Sequence, residues 1–193
     1  MENIDRSLID AHLKGNAMAF GEIVRRYGDN VLGYLIYMTG NKEQADDLFQ
    51  ETFKRVHVKA HTFRGGQFKP WLFKIATRVT IDHARRSRRI KLLSLNQNSD
   101  CNNHNDEKMG AMAAVDWHNP PGEIIKNEQI EQVRQAIQSL PEKQRATVVL
   151  AYYQQLSYPE VAQVMGCTTG TVKTQMFRAL RTLAKRLPDT RAT

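Results

Sequence analysis

Cysteine is nearly absent. The two thiols, Cys101 and Cys167, stand far apart in a chain of 193 residues. No disulfide framework holds such a chain together, and a reducing cytoplasm is the expected setting. Cys101 and His104 come nearest to a pair of metal ligands, but no second pair lies close by, so a polar segment with one thiol accounts for them better than a zinc site. No stretch approaches the ~18 consecutive apolar residues that a membrane span needs. The first ten residues carry Glu2, Asp5, Arg6 and Asp10 around no apolar run, which does not read as a signal peptide. Persistent alternation of apolar and polar residues is missing too, which argues against β-strands. So are a phosphate-cradling glycine loop and a nucleophile set beside a base at a motif spacing. Asp46 and Asp47 are adjacent acids, but neighbours on a helix point about 100° apart and would need further ligands to hold a metal. A nucleic-acid-processing enzyme is thereby disfavoured, and neither a cofactor nor a small-molecule substrate is expected.

What the chain has in excess is positive charge. It carries 28 lysines and arginines against 20 acids, a net +8, with a pI near 9.6. A polyanionic partner follows, either nucleic acid or an anionic surface. Helical periodicity dominates, and glycine and proline gather at a few breaks: Gly40, Gly65–Gly66, Pro120–Pro121, Pro141 and Gly166. The pattern predicts an all-α protein of two small helical domains. The first, 5–91, contains helices over Asp5–Lys14, Ala17–Thr39, Lys42–His61 and Pro70–Lys91. The second, 122–193, contains helices over Glu123–Ser139, Glu142–Tyr153, Tyr158–Met165 and Thr169–Leu187, with Pro141 suited to a first turn. Between them, 92–121 is a polar linker. Its acids are Asp100, Asp106, Glu107 and Asp116 against Lys108, so it is net negative in a basic protein.

Two helices of the second block have the marks of a helix-turn-helix. Ser157-x-x-Glu160 has the spacing of a capping box, with Leu156 and Val161 as its hydrophobic staple. Gly166 follows the short helix where a positive φ would close it. Ala162 before that glycine and Val172 after it permit a close helix crossing, and Thr168 or Thr169 can cap the second helix. That helix sets Val172, Met176, Leu180 and Leu183 near one stripe. Thr169, Gly170, Thr171, Lys173, Thr174, Phe177, Arg178 and Arg181 remain to meet base edges and phosphates in a major groove. An amphipathic helix with a solvated basic face is the plainer account, but it leaves the capped pair around Gly166 unexplained. Cys167 in the turn reads as a small filler.

The first block carries two further patterns. In QADDLFQETFKRV, Ala45, Leu48, Phe49, Phe53 and Val56 recur at helical spacing as a core stripe. Asp46, Asp47, Gln50, Glu51 and Lys54 project from the other side, a dense acidic face that solvation alone would also explain. The next helix has Trp71, Leu72, Ile75, Ala76 and Val79 on its apolar side. Along it run Lys74, Arg78, Arg85, Arg86, Arg88, Arg89 and Lys91 against Asp82, an electrostatic track for phosphates. Just upstream, Phe63, Arg64, Gln67, Phe68 and Trp71 surround Gly65–Gly66. Aromatics and a base on a flexible loop suit an unstacked single strand, although Phe68 and Trp71 are also natural core residues, Trp71 above all.

Taken in order, Ala45-x-Asp47-Leu48-x-Gln50-Glu51-x-Phe53, then Phe68-x-x-Trp71-Leu72-x-x-Ile75-Ala76, then Asp82-x-x-Arg85-Arg86 resemble the second conserved domain of the extracytoplasmic-function (ECF) sigma factors, group IV of the sigma-70 family. LSYPEVAQVMGCTTGTVKTQMFRALRTL resembles their fourth domain. The likeness spans nearly the whole chain outside the linker. It implies a non-enzymatic transcription-initiation subunit. Asp46, Asp47, Leu48, Gln50 and Glu51 would dock on the clamp helices of core RNA polymerase, at its β and β′ subunits. Arg64, Gln67, Phe68, Lys74, Arg78, Arg85, Arg86, Arg88 and Arg89 would bind the minus-ten element as it melts from duplex to single strand. The terminal helix, through Thr169–Arg181, would read the minus-thirty-five element. A separate anti-sigma factor, often membrane-anchored in this family, would regulate the chain from the inner face of the membrane, since no sensing domain is read past Thr193. Two positions depart from the family pattern: Arg78 stands where asparagine is usual and Gln175 where a base is common. The competing reading, a stand-alone helix-turn-helix regulator, gives the acidic face no role and would footprint two symmetric half-sites without polymerase.

The linker stands where larger sigma factors have a third domain, and its charge fits a placeholder that emerging RNA displaces. Replacing Asp100, Asp106, Glu107 and Asp116 with neutral residues is expected to change the ratio of abortive to full-length transcripts. An unchanged ratio would sink the idea.

Overall fold

The computed structural model describes the backbone of residues 2–97 and 124–187 and the side chains of 4–90 and 130–187. Among the described residues every regular element is helical: α1 (Glu2–Leu13), α2 (Ala17–Thr39), α3 (Lys42–Lys59), a 3-10 turn at Ala60–Thr62, α4 (Phe68–Gln97), α5 (Ile124–Gln138), α6 (Glu142–Val148), a π turn at Val149–Tyr153, α7 (Tyr158–Met165) and α8 (Thr169–Ala184). None of them is long and apolar enough to cross a membrane. Cys101, His104 and nearly all of the polar linker lie outside the described residues. The exception is the stretch after Lys91, where α4 continues through Gln97 into what the sequence reads as linker.

Asn16 and Asn41 cap α2 and α3, accepting from the amides of Met18 (3.0 Å) and Gln44 (3.0 Å). The first group, α1–α4, closes on Ile23, Tyr34, Leu35, Val56, Leu72 and Phe73, all buried. Each such side chain contributes about 1.5–3 kcal/mol by leaving water. Two polar ties fix the registry of this group. The buried Asp5 carboxylate accepts from Arg26 (3.0 Å) and from the Tyr27 hydroxyl (2.6 Å), locking α1 to α2. Burial, reinforced by the Asp5 bond, pushes the Tyr27 hydroxyl pKa well above its ordinary value. The Tyr34 hydroxyl meets Thr77 of α4 at 2.8 Å, fully inside the core.

The second group, α5–α8, packs directly on the first, and the buried side chains form one continuous apolar core. α7 lies on α4, and α5, α6 and the π turn lie on α2. The seam is rich in side-chain bonds to backbone carbonyls. At the α2 C-terminus the Gln138 amide donates to the carbonyls of Ile36 and Tyr37, both at 3.3 Å, the first of which also accepts from the Gly40 amide. Gln138 sits where a Cβ on Gly40 would be, and Gly40 also has φ +72°, so only glycine serves there. Arg145 donates to the Met38 carbonyl (2.6 Å), to Leu140 (3.1 Å) and to Gln138. Arg88 reaches Glu142 at 3.1 Å, and Tyr37 stacks obliquely on Tyr153 at 4.2 Å.

The helix expected over Glu142–Tyr153 widens into a π turn over its last five residues. The wider turn brings Gln154 inward, where it is 4 % exposed. Its amide donates to Asn30 of α2 (3.1 Å), while its own carbonyl accepts from Lys69 of α4 (2.6 Å). Pro141 precedes α6 as its cap residue rather than sitting in its first turn.

Arg145→Ala strands several half-buried carbonyls at this seam. It is expected to lower unfolding stability by about 2 kcal/mol, read as a lower urea midpoint. An unchanged midpoint would mean that the second group does not rest on α2.

Candidate nucleic-acid and polymerase interfaces

α3 turns two unlike faces outward and inward. Ala45, Leu48, Phe53 and Val56 are buried in the core. Asp46, Asp47 and Gln50 are exposed and Glu51 half-buried, forming a continuous acidic strip. Leu48 is the one expected docking residue that does not belong to that strip. At 5 % exposure it holds the helix to the core instead of meeting a partner.

α4 is also two-faced. Phe68, Leu72, Phe73, Ile75, Ala76 and Val79 are buried, while Arg78, Arg85, Arg86, Arg88 and Arg89 are exposed and Lys74 half-buried. Arg88 is engaged with Glu142 at the seam. Arg64 and Gln67 are exposed on the loop before the helix, around Gly65–Gly66 with positive φ. The aromatics of this loop exchange the roles read from the sequence. Phe68, at 2 % exposure, packs between Tyr27 and Phe63 and cannot stack on a base. Trp71 is the half-exposed ring, braced by Phe63 and Phe68 at 5.4 Å each. The alternation of apolar and polar residues could not separate these two, because both lie in the first turn of α4.

α3 and α4 are joined by a residue that the motif reading passed over. Arg55 of α3 donates to Glu51 at 2.7 Å and, across the helices, to Asp82 of α4 at 3.3 Å. Burial would lower the pKa of its guanidinium, but the two carboxylates outweigh that and raise it. The i,i+4 spacing of Glu51 and Arg55 was the available signal. The crossing to Asp82 had none.

α7, its turn and α8 form the helix-turn-helix. The Glu160 carboxylate accepts from the Ser157 amide (2.6 Å) and hydroxyl (2.5 Å). Leu156 and Val161 are both buried. Gly166 closes α7 at φ +65°, and Thr168 caps α8 by accepting from Thr171 at 3.2 Å. Val172, Met176, Ala179 and Leu183 face the core. Ala179 takes the place read for Leu180, which is 43 % exposed. Gly170, Thr171, Lys173, Thr174, Phe177, Arg178 and Arg181 stand in solvent, with Thr169 half-buried beside them. A phenylalanine at 67 % exposure among threonines and bases on one helix is poorly explained by solubility. It suits contact with base methyls in a groove.

An acidic helix, a basic helix and a helix-turn-helix in this order are the parts of a sigma factor of the sigma-70 class. Residues 23–90 match the family model for sigma-70 region 2, and 130–183 match that for sigma-70 region 4. The chain is 31 % identical to the ECF RNA polymerase sigma factor SigW of Bacillus subtilis over 98 % of its own length and all of that protein. It is 32 % identical to the ECF RNA polymerase sigma factor BldN of Streptomyces coelicolor, covering 94 % of this chain but only 65 % of BldN. It is 31 % identical to the RNA polymerase sigma-H factor of Pseudomonas aeruginosa, over 95 % of this chain and 93 % of that protein. The chain belongs to the ECF sigma factors. In fold it is similar to CnrH in complex with the cytosolic domain of CnrY, with a TM-score of 0.64 at 22 % identity over 94 % of this chain and 96 % of that one. It is equally similar in fold to the sigma factor RpoE bound to the anti-sigma factor NepR from Bartonella quintana, with a TM-score of 0.64 at 22 % identity over 86 % and 94 %.

A Cβ added at Gly166 meets nothing within 4 Å, so only backbone strain opposes a side chain there. Gly166→Ala is expected to destabilise the protein by about 1–2 kcal/mol, and Gly166→Asn by clearly less, since asparagine tolerates the left-handed region. Equal thermal midpoints for the two variants would show that the turn is not held in this conformation.

Proposed function

We propose that this chain directs promoter-specific initiation by docking on core RNA polymerase through the acidic strip of α3 and contacting the promoter at two places. Asp46, Asp47, Gln50 and Glu51 meet the clamp helices of the β and β′ subunits. Arg64, Gln67 and the basic edge of α4 hold the minus-ten element as its bases unstack, with Trp71 in place of Phe68 as the ring available for stacking. Thr169, Gly170, Thr171, Lys173, Thr174, Phe177, Arg178 and Arg181 read the minus-thirty-five element in the major groove. The protein contributes binding energy and no bond-breaking chemistry, and the polymerase supplies catalysis. The observation that carries this reading is the exposed acidic strip on a protein of net +8, set on the helix beside a basic track. A stand-alone regulator has no use for it. Two proteins of similar fold were solved in complexes, CnrH with the cytosolic domain of CnrY and the sigma factor RpoE with the anti-sigma factor NepR. An anti-sigma protein is accordingly the proposed regulator here.

The packing of the two groups bears on how the promoter is reached. Elements centred near minus ten and minus thirty-five lie about 25 base pairs apart, roughly 85 Å along B-DNA. A packed chain of this length has a radius of gyration of about 16 Å, and no such body touches both. On this reading α5–α8 leave the α2–α4 surface during assembly. The chain between Gln97 and Ile124 supplies the reach, up to roughly 90 Å when drawn out. The polar contacts of the seam are hydrogen bonds to carbonyls that water can replace, while its apolar contacts set the cost of parting.

Added to sigma-free core polymerase, the protein is expected to give specific run-off transcripts from a promoter library of its host. Asp47→Ala with Glu51→Ala should abolish them with only a small drop in the thermal midpoint, the part that Glu51 contributes by anchoring Arg55. No transcript, together with tight binding of duplex DNA by the protein alone, would favour the stand-alone regulator.

A further inference from the structure

A cleft of about 390 Å³ opens between α3 and α4, lined by Arg55, Lys59, Ile75, Arg78, Ile81, Asp82 and Arg85. Four bases face one acid there. The volume lies at the low end for ligand pockets, enough for a sugar–phosphate unit, and Ile75 and Ile81 give the sugar an apolar floor. Asp82 is the anomaly, since a carboxylate in a phosphate site repels the ligand. It also lies four residues after Arg78 and three before Arg85 on α4, the spacings at which helix neighbours pair and cancel. In this structure Asp82 turns to Arg55 on the other helix at 3.3 Å, and Arg55 is anchored in turn by Glu51 at 2.7 Å. Among the described residues, Lys59, Arg78 and Arg85 take part in no ion pair.

We propose that this cleft binds a phosphate of the captured single strand, and that Arg55 is a positioning residue which keeps the cleft cationic by drawing Asp82 away from Arg78 and Arg85. The proposal rests on the reading of α4 as the minus-ten helix and extends it to α3, adding Lys59 as a phosphate contact and Arg55 as the residue that unmasks the site. The strand then passes over the groove between the two helices rather than along α4 alone. Glu51, at the edge of the docking strip, becomes the far end of a relay. A partner base that competes for Glu51 leaves Arg55 to Asp82 alone and tightens the hold on it.

The test uses the full chain without polymerase, so that changes at Arg55 are not confounded with docking, and a fluorescent twenty-residue oligothymidylate as the probe. Affinity is measured by anisotropy across a salt series, with urea midpoints for each variant. Arg55→Gln is expected to weaken binding about fivefold to tenfold at low salt, as Asp82 turns on its neighbours. Asp82→Asn should bind at least as tightly as the unaltered chain, and the double variant Arg55→Gln with Asp82→Asn should return to within about twofold of it. Lys59→Gln should make the salt slope shallower by about 0.7, the value of one single-strand phosphate contact. A double variant as weak as Arg55→Gln would overturn the positioning role, and an unchanged slope in Lys59→Gln would overturn the cleft. Arg86→Gln with Arg89→Gln separates the two levels. If that pair weakens binding while the cleft variants do not, the cleft is wrong and the reading of α4 stands. If no substitution matters, or the unaltered chain does not bind, both fall.

Discussion

A helix with Lys74, Arg78, Arg85, Arg86, Arg88 and Arg89 along one edge cannot bury that edge, and one with Phe68, Leu72, Phe73, Ile75, Ala76 and Val79 along another cannot leave it in water. α4 is under both demands at once, and the rest of the molecule is arranged to meet them. α2 and α3 cover its apolar face, with the buried pair of Tyr34 and Thr77 fixing the registry. α7 covers a further part of it from the second group. The basic edge is left facing solvent, and its charge is tempered where Glu142 reaches Arg88. Docking strip, basic track and helix-turn-helix are separate surfaces, but each is placed by what it shares with α4 or with a helix packed on it.

Much of this was legible from residue order. Caps and breakers act within a few residues of themselves, so Gly40, Ser157, Glu160, Gly166 and Thr168 mark element ends nearly where the structure has them. The two faces of α3 were legible for the same reason, because a period of 3.6 sorts Leu48 from Asp47 without knowledge of the neighbours. Leu48 was nonetheless counted with the docking strip because a motif runs through it, and motifs do not distinguish a residue that touches a partner from one that supports those that do. The exchange between Phe68 and Trp71, and between Ala179 and Leu180, had a different cause. Where two apolar residues lie close on one helix, the choice between them is made by the partner surface, which the local pattern does not contain.

The seam between the groups was not legible at all. Its polar contacts are side chains bonding to backbone carbonyls: Gln138 to Ile36 and Tyr37, Arg145 to Met38, Lys69 to Gln154, and Gln154 to Asn30. A carbonyl has no residue identity, so no pairing of residue types announces such a bond. The π turn belongs with it, because the extra residue in that turn is explained only by the place Gln154 takes between α2 and α4. The Arg55–Asp82 bridge is of the same kind, since two charged residues 27 positions apart carry no more signal than any other opposite pair.

If the two groups part during assembly as proposed, the seam also sets an order of events. A basic protein with two open grips on DNA would be held by whatever duplex it met, because phosphate attraction is indifferent to sequence and genomic sites vastly outnumber promoters. With the two grips folded against one another, only one can close on a given stretch at a time, and the avidity that comes from joining them is withheld. On the proposed reading, the seam is a free-energy cost on premature binding: the chain would meet polymerase first, and gain its second grip on DNA only where the polymerase holds the two halves apart.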